Sequence, residues 1–257
     1  MIFYYTATGN SLYVARRCDE KVLSIPQELK KKELRYRNEI IGIVSPIYAG
    51  ELPKTVRRFI EKANFETSYF YMILTYGNQD SVAGVWSQNF CKANGIHVNY
   101  IQTVKMVDNY LPSFDMNEQK AINKNIEEQI QNIIKDIKKK VNYIPQPTQE
   151  GQKLYQLVSQ RFYEHPELNN GESIIMSDRC VGCRICEQVC PIGNIILKDG
   201  KAKRKESICD FCLSCVHHCP FKAIDLVVDK NPNARYRNPH ISLKDIIKSN
   251  YQGETYL

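Results

Sequence analysis

The sequence predicts an α/β protein, a doubly wound parallel five-stranded sheet, followed by a small α+β domain. Three observations predict it. Strand and helix signals alternate over the first 110 residues. Two prolines in a polar stretch at 143–150 break that alternation. Eight of the ten cysteines then fall between positions 180 and 219. Cys18 and Cys91 stand apart from these and are expected to be ordinary packed thiols.

Each element follows from local pattern. Residues 2–5 form a short apolar strand, and a hydroxyl-rich loop leads from it to a helix at 11–20. Residues 21–25 make a weak second strand, and 40–44 a continuous apolar third. A helix spans 52–62 with Pro53 in its first turn. Residues 69–75 are an aromatic fourth strand, 82–92 a helix with Trp86 in the core, and 97–107 a fifth strand. Residues 117–140 read as one long helix, with Ile122, Ile126, Ile130, Ile133, Ile134 and Ile137 on one face. Strands that are apolar on both faces belong to a parallel sheet covered on both sides, and right-handed crossovers wind it.

These elements divide the chain into 1–142, a connecting stretch at 143–171, a cysteine-rich segment at 172–228 and a polar tail at 229–257. The connection carries a helix at 152–163 whose stripe, Leu154, Leu157, Val158 and Phe162, is expected to pack between domains. The tail, with a short helix at 243–249, is expected to pack on the body.

Composition narrows the class. A chain of 257 residues fits one or two domains. Hydrophobic residues at 43% and charged residues at 25% suit a globular protein rather than a disordered one. No apolar run approaches the roughly 20 residues of a membrane span, and the N-terminus lacks the features of a secretory signal. The expected compartment is the cytoplasm, where thiols stay reduced and cysteines are not read as disulfides. The net charge of +7 is spread along the chain. Nucleic-acid binders concentrate it on one face, so no such partner is expected.

The cysteines carry the chemistry. Cys180-Val-Gly-Cys183-Arg-Ile-Cys186-Glu-Gln-Val-Cys190-Pro191 recurs 29 residues later as Cys209-Asp-Phe-Cys212-Leu-Ser-Cys215-Val-His-His-Cys219-Pro220. A short internal repeat implies a pseudo-symmetric unit with one shared core. The run C-x2-C-x2-C-x3-C-P belongs to proteins with two iron–sulfur clusters, and its fourth cysteine ligates the other cluster. Proline after that cysteine steers the chain away. Cys180, Cys183, Cys186 and Cys219 are therefore assigned to one [4Fe-4S] cluster, and Cys209, Cys212, Cys215 and Cys190 to a second. Zinc, the competing reading, is more often held by separated C-x2-C pairs. His217 and His218 are expected to be exposed neighbours, not ligands. Residues 174–228 resemble a bacterial two-cluster ferredoxin.

The first strand-to-helix turn, Thr6-Ala-Thr8-Gly9-Asn10-Ser11, suits a phosphate. Free N–H groups and the helix dipole favour an anion there. Thr6, Thr8 and Ser11 add hydroxyls, Asn10 an amide, and Gly9 a close backbone approach. Helix capping alone explains such a loop as well. Dinucleotide, nucleoside-triphosphate and nucleophile-elbow motifs are missing from the sequence. The Thr-x-Thr-Gly-Asn-Ser string resembles the phosphate loop of flavodoxins, and the resemblance covers about residues 1–140. It implies a flavodoxin-like fold binding FMN at the carboxyl ends of the strands. It also implies ring contacts from Pro46 and Tyr48, with Tyr48 stacking on the ring. Thr75, Tyr76 and Gly77 after the fourth strand, and Asn109 and Tyr110 after the fifth, would border the ring too.

Taken whole, the chain resembles the flavodoxin–ferredoxin fusion proteins of anaerobic bacteria and archaea. That resemblance implies an electron-transfer protein relaying electrons between FMN and two [4Fe-4S] clusters to a redox protein partner. Two other functions fit the residues. One is a flavin-dependent reductase of a small acceptor, with Tyr76, Asp108 or Tyr110 as proton donor. The other is a ferredoxin with an empty flavodoxin-like docking domain, whose Lys201-Ala-Lys-Arg-Lys205 run meets an acidic partner, although a solvated hairpin turn explains that run equally well.

Overall fold

Alternating side chains on the N-terminal strands bury into two separate cores, one on each face of a single parallel sheet. The computed structural model describes residues 1–253. In chain order the first part contains β1 (Ile2–Tyr4), α1 (Asn10–Cys18), β2 (Val22–Ser24), α2 (Ile25–Glu28) and β3 (Arg35–Arg37). Then come β4 (Ile40–Pro46), α3 (Lys54–Lys62), β5 (Asn64–Glu66), β6 (Tyr69–Tyr76), α4 (Ala83–Ala93) and β7 (Tyr100–Lys105). The five-stranded sheet has the order β2-β1-β4-β6-β7 and every pairing is parallel. β3 and β5 form a separate short parallel pair that sequence did not show.

The register explains why these strands read as unbroken apolar runs. Phe3, Tyr5, Ile41, Ile43, Phe70, Met72 and Leu74 face one side, against Val56, Phe59 and Ile60 of α3. Ile2, Tyr4, Val44, Tyr69, Tyr71 and Ile73 face the other, against Leu12, Val14 and Ala15 of α1. Gly42 lies beside Tyr71 in the register. A Cβ there would sit 2.1 Å from Tyr71 Cζ, so the tyrosine ring occupies the space a side chain would need. Trp86 is only partly buried: it stacks on Phe90 and lies under the Arg57 guanidinium, 5.7 Å away.

The long helix expected over 117–140 is two helices, α5 (Met116–Ala121) and α6 (Ile126–Lys138). Asn123 and Asn125 separate them. Asn123 Oδ1 accepts the Asn125 N–H, and Asn125 adopts a left-handed φ of 49°. Asparagine side chains compete with helical hydrogen bonds in this way. Ile122 consequently lies in the break and is half exposed.

α7 (Gln149–Glu164) follows the proline stretch, itself anchored where Tyr143 bridges Tyr100. The cysteine segment contains β8 (Ile174–Met176), α8 (Ile185–Gln188), β9 (Ile195–Lys198), β10 (Lys201–Arg204), α9 (Ser214–His218) and β11 (Ile224–Leu226). β8 pairs with β11, and β9 with β10, both antiparallel. α10 (Leu243–Asn250) packs Ile246 into the core shared by α1 and α6 (Ile130, Ile133). A capping box from Ser242 and Asp245 starts it.

The 29-residue repeat is also a repeat of backbone conformation. Gly182 and Phe211, Arg184 and Leu213, and Gly193 and Lys222 are three pairs at that offset. All six have positive φ, between 47° and 73°. Four are not glycine, so each holds a conformation that L-residues rarely adopt.

Candidate functional site

The fold gathers the cysteines into two groups. Cys180, Cys183, Cys186 and Cys219 line one small enclosed space, and Cys190, Cys209, Cys212 and Cys215 line another. These are the two quartets expected from spacing. Backbone N–H groups point at four of the sulfurs: Ala202 to Cys180 and Asn194 to Cys190 at 3.3 Å, Phe211 to Cys209 and Ala223 to Cys219 at 3.2 Å. Such bonds stabilise thiolate charge and raise the potential of a cluster that they hold. Among the described residues, no three His, Cys, Asp or Glu side chains converge as closely as one metal ion requires.

The two groups differ in exposure. Cys183 is exposed, flanked by Val181 at 59% and close to Phe221 at 48%. Cys215 and Cys190 are buried. Burial pushes the free thiols upward, Cys209 to about 11 and Cys186 to about 12. Cys18 and Cys91 are each pushed to about 12 by burial alone or chiefly so, and both pack into the cores.

A cavity of about 500 Å³ opens at the carboxyl ends of the sheet strands. Thr6, Thr8, Asn10, Ser11, Pro46, Tyr48, Thr75, Tyr76, Gly77, Asn109 and Tyr110 all line it. Gly9 does not. Its φ is 103°, and a Cβ there would meet Ile241 at 2.9 Å and Asn238 at 3.0 Å. The close approach it permits is that of the C-terminal tail. The side chains of this loop are already engaged. Thr6 Oγ1 accepts the Gly9 N–H, Ser11 shares a bond with Thr75, and Thr8 Oγ1 accepts from Asn109. Among the described residues the N–H groups of Thr8, Asn10 and Ser11 have no protein acceptor. An anion in this loop would therefore be held by backbone, at the start of α1.

Tyr48 lies edge-on to Tyr5, with its hydroxyl buried and unpaired among the described residues. An unpaired buried hydroxyl on a cavity wall is a group that a ligand could satisfy. Gly77 is pressed against Asp108: a Cβ at 77 would fall 2.3 Å from its carboxyl. Burial raises the Asp108 carboxyl above its ordinary range, and the Tyr110 N–H bonded to it opposes that rise.

α7 forms the roof. Leu154, Tyr155, Val158, Ser159 and Phe162 line the cavity. Leu154, Val158 and Phe162 of the apolar stripe thus line a cavity walled by the strand ends and by Asp210, Cys212 and Leu213 of the cysteine segment, while Leu157 is 68% exposed. Sequence could not show this, because a stripe gives periodicity and not a destination. Tyr155 Oη donates to Glu51 at 2.7 Å, and Arg57 pairs with the same carboxylate at 3.0 Å. Ser81 Oγ donates to Gly151 O at 2.6 Å.

His217 and His218 are buried, against expectation. His217 Nε2 meets Asn109 O at 2.9 Å, and Nδ1 accepts the Tyr236 N–H at 3.2 Å. Burial holds both rings neutral, at about 3 for His217 and about 4 for His218. The tail covers His217 by way of Tyr236, and no local signal announces contacts with residues 19 and 108 positions away.

The cavity and the second cysteine group share a wall. Asp210, Cys212 and Leu213 line both. Tyr5, from the end of β1, donates to Asp210 Oδ2 at 2.8 Å and fixes that wall to the sheet.

Comparison with known proteins places the cysteine segment in a class. Residues 179–224 match the family described as the 4Fe-4S dicluster domain. They are a dicluster ferredoxin domain, whose work is electron transfer through iron–sulfur clusters. One component of the ion-translocating oxidoreductase complex of Methanosarcina acetivorans is 43% identical over 47 residues, 18% of each protein. The putative electron transport protein YsaA of Escherichia coli is 31% identical over 75 residues, 26% of this chain and 48% of that one. One component of the anaerobic dimethyl sulfoxide reductase of Escherichia coli is 27% identical over 109 residues, 34% and 52%. The chain thus spans about half or less of the length of these relatives. No helix among the described residues is long and apolar enough to cross a membrane.

Proposed function

We propose that the chain relays electrons between FMN in the strand-end cavity and two [4Fe-4S] clusters, and exchanges them with a redox partner protein. The observation that carries this reading is the shared wall: Asp210, Cys212 and Leu213 border both the cavity and the second cysteine group. A cofactor in the cavity would lie beside a cluster ligand, with no intervening layer of protein. The sheet order β2-β1-β4-β6-β7 supports FMN, being the 2-1-3-4-5 order of flavodoxin-like sheets when the five strands are counted alone.

In this reading residues 1–142 carry the flavin and 172–228 the clusters. Cys180, Cys183, Cys186 and Cys219 hold one cluster, and Cys190, Cys209, Cys212 and Cys215 the other. Backbone N–H groups of Thr8, Asn10 and Ser11 receive the phosphate. Tyr48, Tyr76 and Tyr110 border the ring, and Tyr48 Oη gains a partner. When bound, FMN supplies a carrier that takes electrons in pairs and passes them singly. α7 excludes water from that carrier. The partner docks where Cys183 is exposed. The Lys201–Lys205 run is a weaker docking candidate, since Lys201 is tied to Asp178 O and Cys180 O and Lys203 pairs with Asp199.

Asp108 favours a second reading, reduction of a small acceptor in the same cavity. Its carboxyl lines the cavity and burial favours its protonated form. Saturable turnover of an acceptor that Asp108→Asn abolishes would select this reading.

The deciding experiment is anaerobic purification with acid release of flavin and an iron assay. The relay predicts about one FMN and about eight irons per chain, four per cluster. Eight irons with no flavin, even after added FMN, would overturn it.

A further inference from the structure

His217 sits on α9 between Cys215 and Cys219, one residue from each quartet. Its Nδ1 accepts the Tyr236 N–H, so its proton is on Nε2, which donates to Asn109 O. Both of those partners reach the 6–11 loop. Tyr236 Oη donates to Asn10 Oδ1 at 2.7 Å, and Asn109 Nδ2 donates to Thr8 Oγ1 at 2.6 Å. Asn238 closes the ring of bonds, from Nδ2 to Asn10 Oδ1 at 3.2 Å and from N–H to Thr8 O at 2.8 Å. Thr8, Asn10, His217, Tyr236 and Asn238 are all buried. Losing one member leaves a buried polar group without a partner, which is costly.

We propose that His217 is a positioning residue that couples loading of the clusters to binding of the FMN phosphate on the 6–11 loop. This rests on the flavin reading of the cavity. α9 has five residues, too few to hold a helix unaided. Ligation of Cys215 and Cys219 pins it at both ends, one to each cluster. Without that ligation α9 keeps only its packing and the Ser214 Oγ bond to Ala7 O at 2.9 Å, which leaves its C-terminal end free to shift, and the imidazole is no longer held firmly between Asn109 and Tyr236. Thr8 and Asn10 then lose their braces, and their N–H groups are no longer preorganised for a phosphate. The effect runs both ways by linkage: a ligand on the loop fixes Asn109 and Tyr236, which fix His217, which steadies α9.

The test measures FMN affinity from quenching of flavin fluorescence, on the full chain, anaerobically, with clusters loaded and after iron chelation. Loaded wild-type protein should bind about 5- to 150-fold more tightly than the cluster-free form, the usual span of such couplings. Tyr236→Phe removes only the hydroxyl bond to Asn10 and should shrink that ratio. His217→Leu should bring it near one, at an iron content equal to wild type. His217→Gln, whose amide can still donate to Asn109 O, should keep part of it. A general loss of stability would lower both affinities and leave the ratio alone.

Equal affinity in the two wild-type forms would overturn the coupling and leave the flavin reading standing. Binding in neither form would overturn both. Where a His217 variant fails to load, the rate of iron release from wild type to a chelator serves instead. FMN should slow that release in wild type and less so in Tyr236→Phe; no protection in wild type would also overturn the proposal.

Discussion

At the scale of single residues, two glycines are held by what they leave room for. Gly42→Ala would drive a methyl group into the Tyr71 ring across β4 and β6. Overpacking of this kind costs about 1–3 kcal/mol, and urea denaturation of the variant should show a loss in that range. Gly182 has a φ of 73°, and a Cβ there would lie 2.7 Å from Gly200 O, a backbone atom with little freedom to yield. Gly182→Ala should loosen the quartet of Cys180, Cys183, Cys186 and Cys219 alone. Chelator-driven iron loss should then become biphasic, with half the iron leaving faster than in wild type; a single unchanged phase would count against the quartet assignment. The cysteine groups were legible because ligand spacing is written in the local sequence. The left-handed conformations of Arg184, Phe211, Leu213 and Lys222 were not, since none is a glycine. The alignment of the two halves relates Phe211 to Gly182 and Lys222 to Gly193, and pairs Arg184 with Leu213.

Secondary-structure elements were legible where a strand is buried on both faces and illegible where a partner lies far along the chain. β1, β4 and β6 follow from apolar runs, whereas β2 and β7, less fully buried, leave weaker signals. α10 looks like a minor amphipathic helix by sequence, yet it completes a core. Arg16 on α1 pairs with Asp245 at 2.5 Å, and the Ser242 cap binds the same carboxylate. The Arg16 hydrogen bond above all holds the Asp245 carboxyl down, at about 2. A lowered folded-state value means that its stabilisation is present above the unfolded value, near 3.9. It is lost as pH falls from about 4 to about 2. Asp245→Asn should therefore be less stable than wild type at pH 7, and the two should converge near pH 2. The pair is partly solvated, so the difference should be small. α7 gives a sharper contrast. Val158→Trp would fill the cavity beneath the roof, whereas Leu157→Trp points to solvent. The first should weaken FMN binding by at least about tenfold, about 1.4 kcal/mol, and the second should leave it unchanged. Equal binding by both would remove the cavity from consideration as the flavin site.

For the whole molecule, the sequence specifies two units, and the contacts between them come only with the tertiary structure. Tyr5 at the end of β1 grips Asp210, the tail links the 6–11 loop to α9, and Asn250 bonds Thr6 O and Val189 O. Those bonds join residues up to 244 positions apart, beyond the reach of any motif. Their consequence is that the two cysteine groups, equivalent by repeat, are unequal in place. The group containing Cys190 and Cys215 is enclosed against the sheet domain, while the one containing Cys183 meets solvent. Oxygen reaches the exposed group first. A preparation handled in air should pass through a form with about four irons per chain before it loses the rest. Samples with that content would be weathered copies rather than a distinct natural state, and their spectra would report the sheltered half alone.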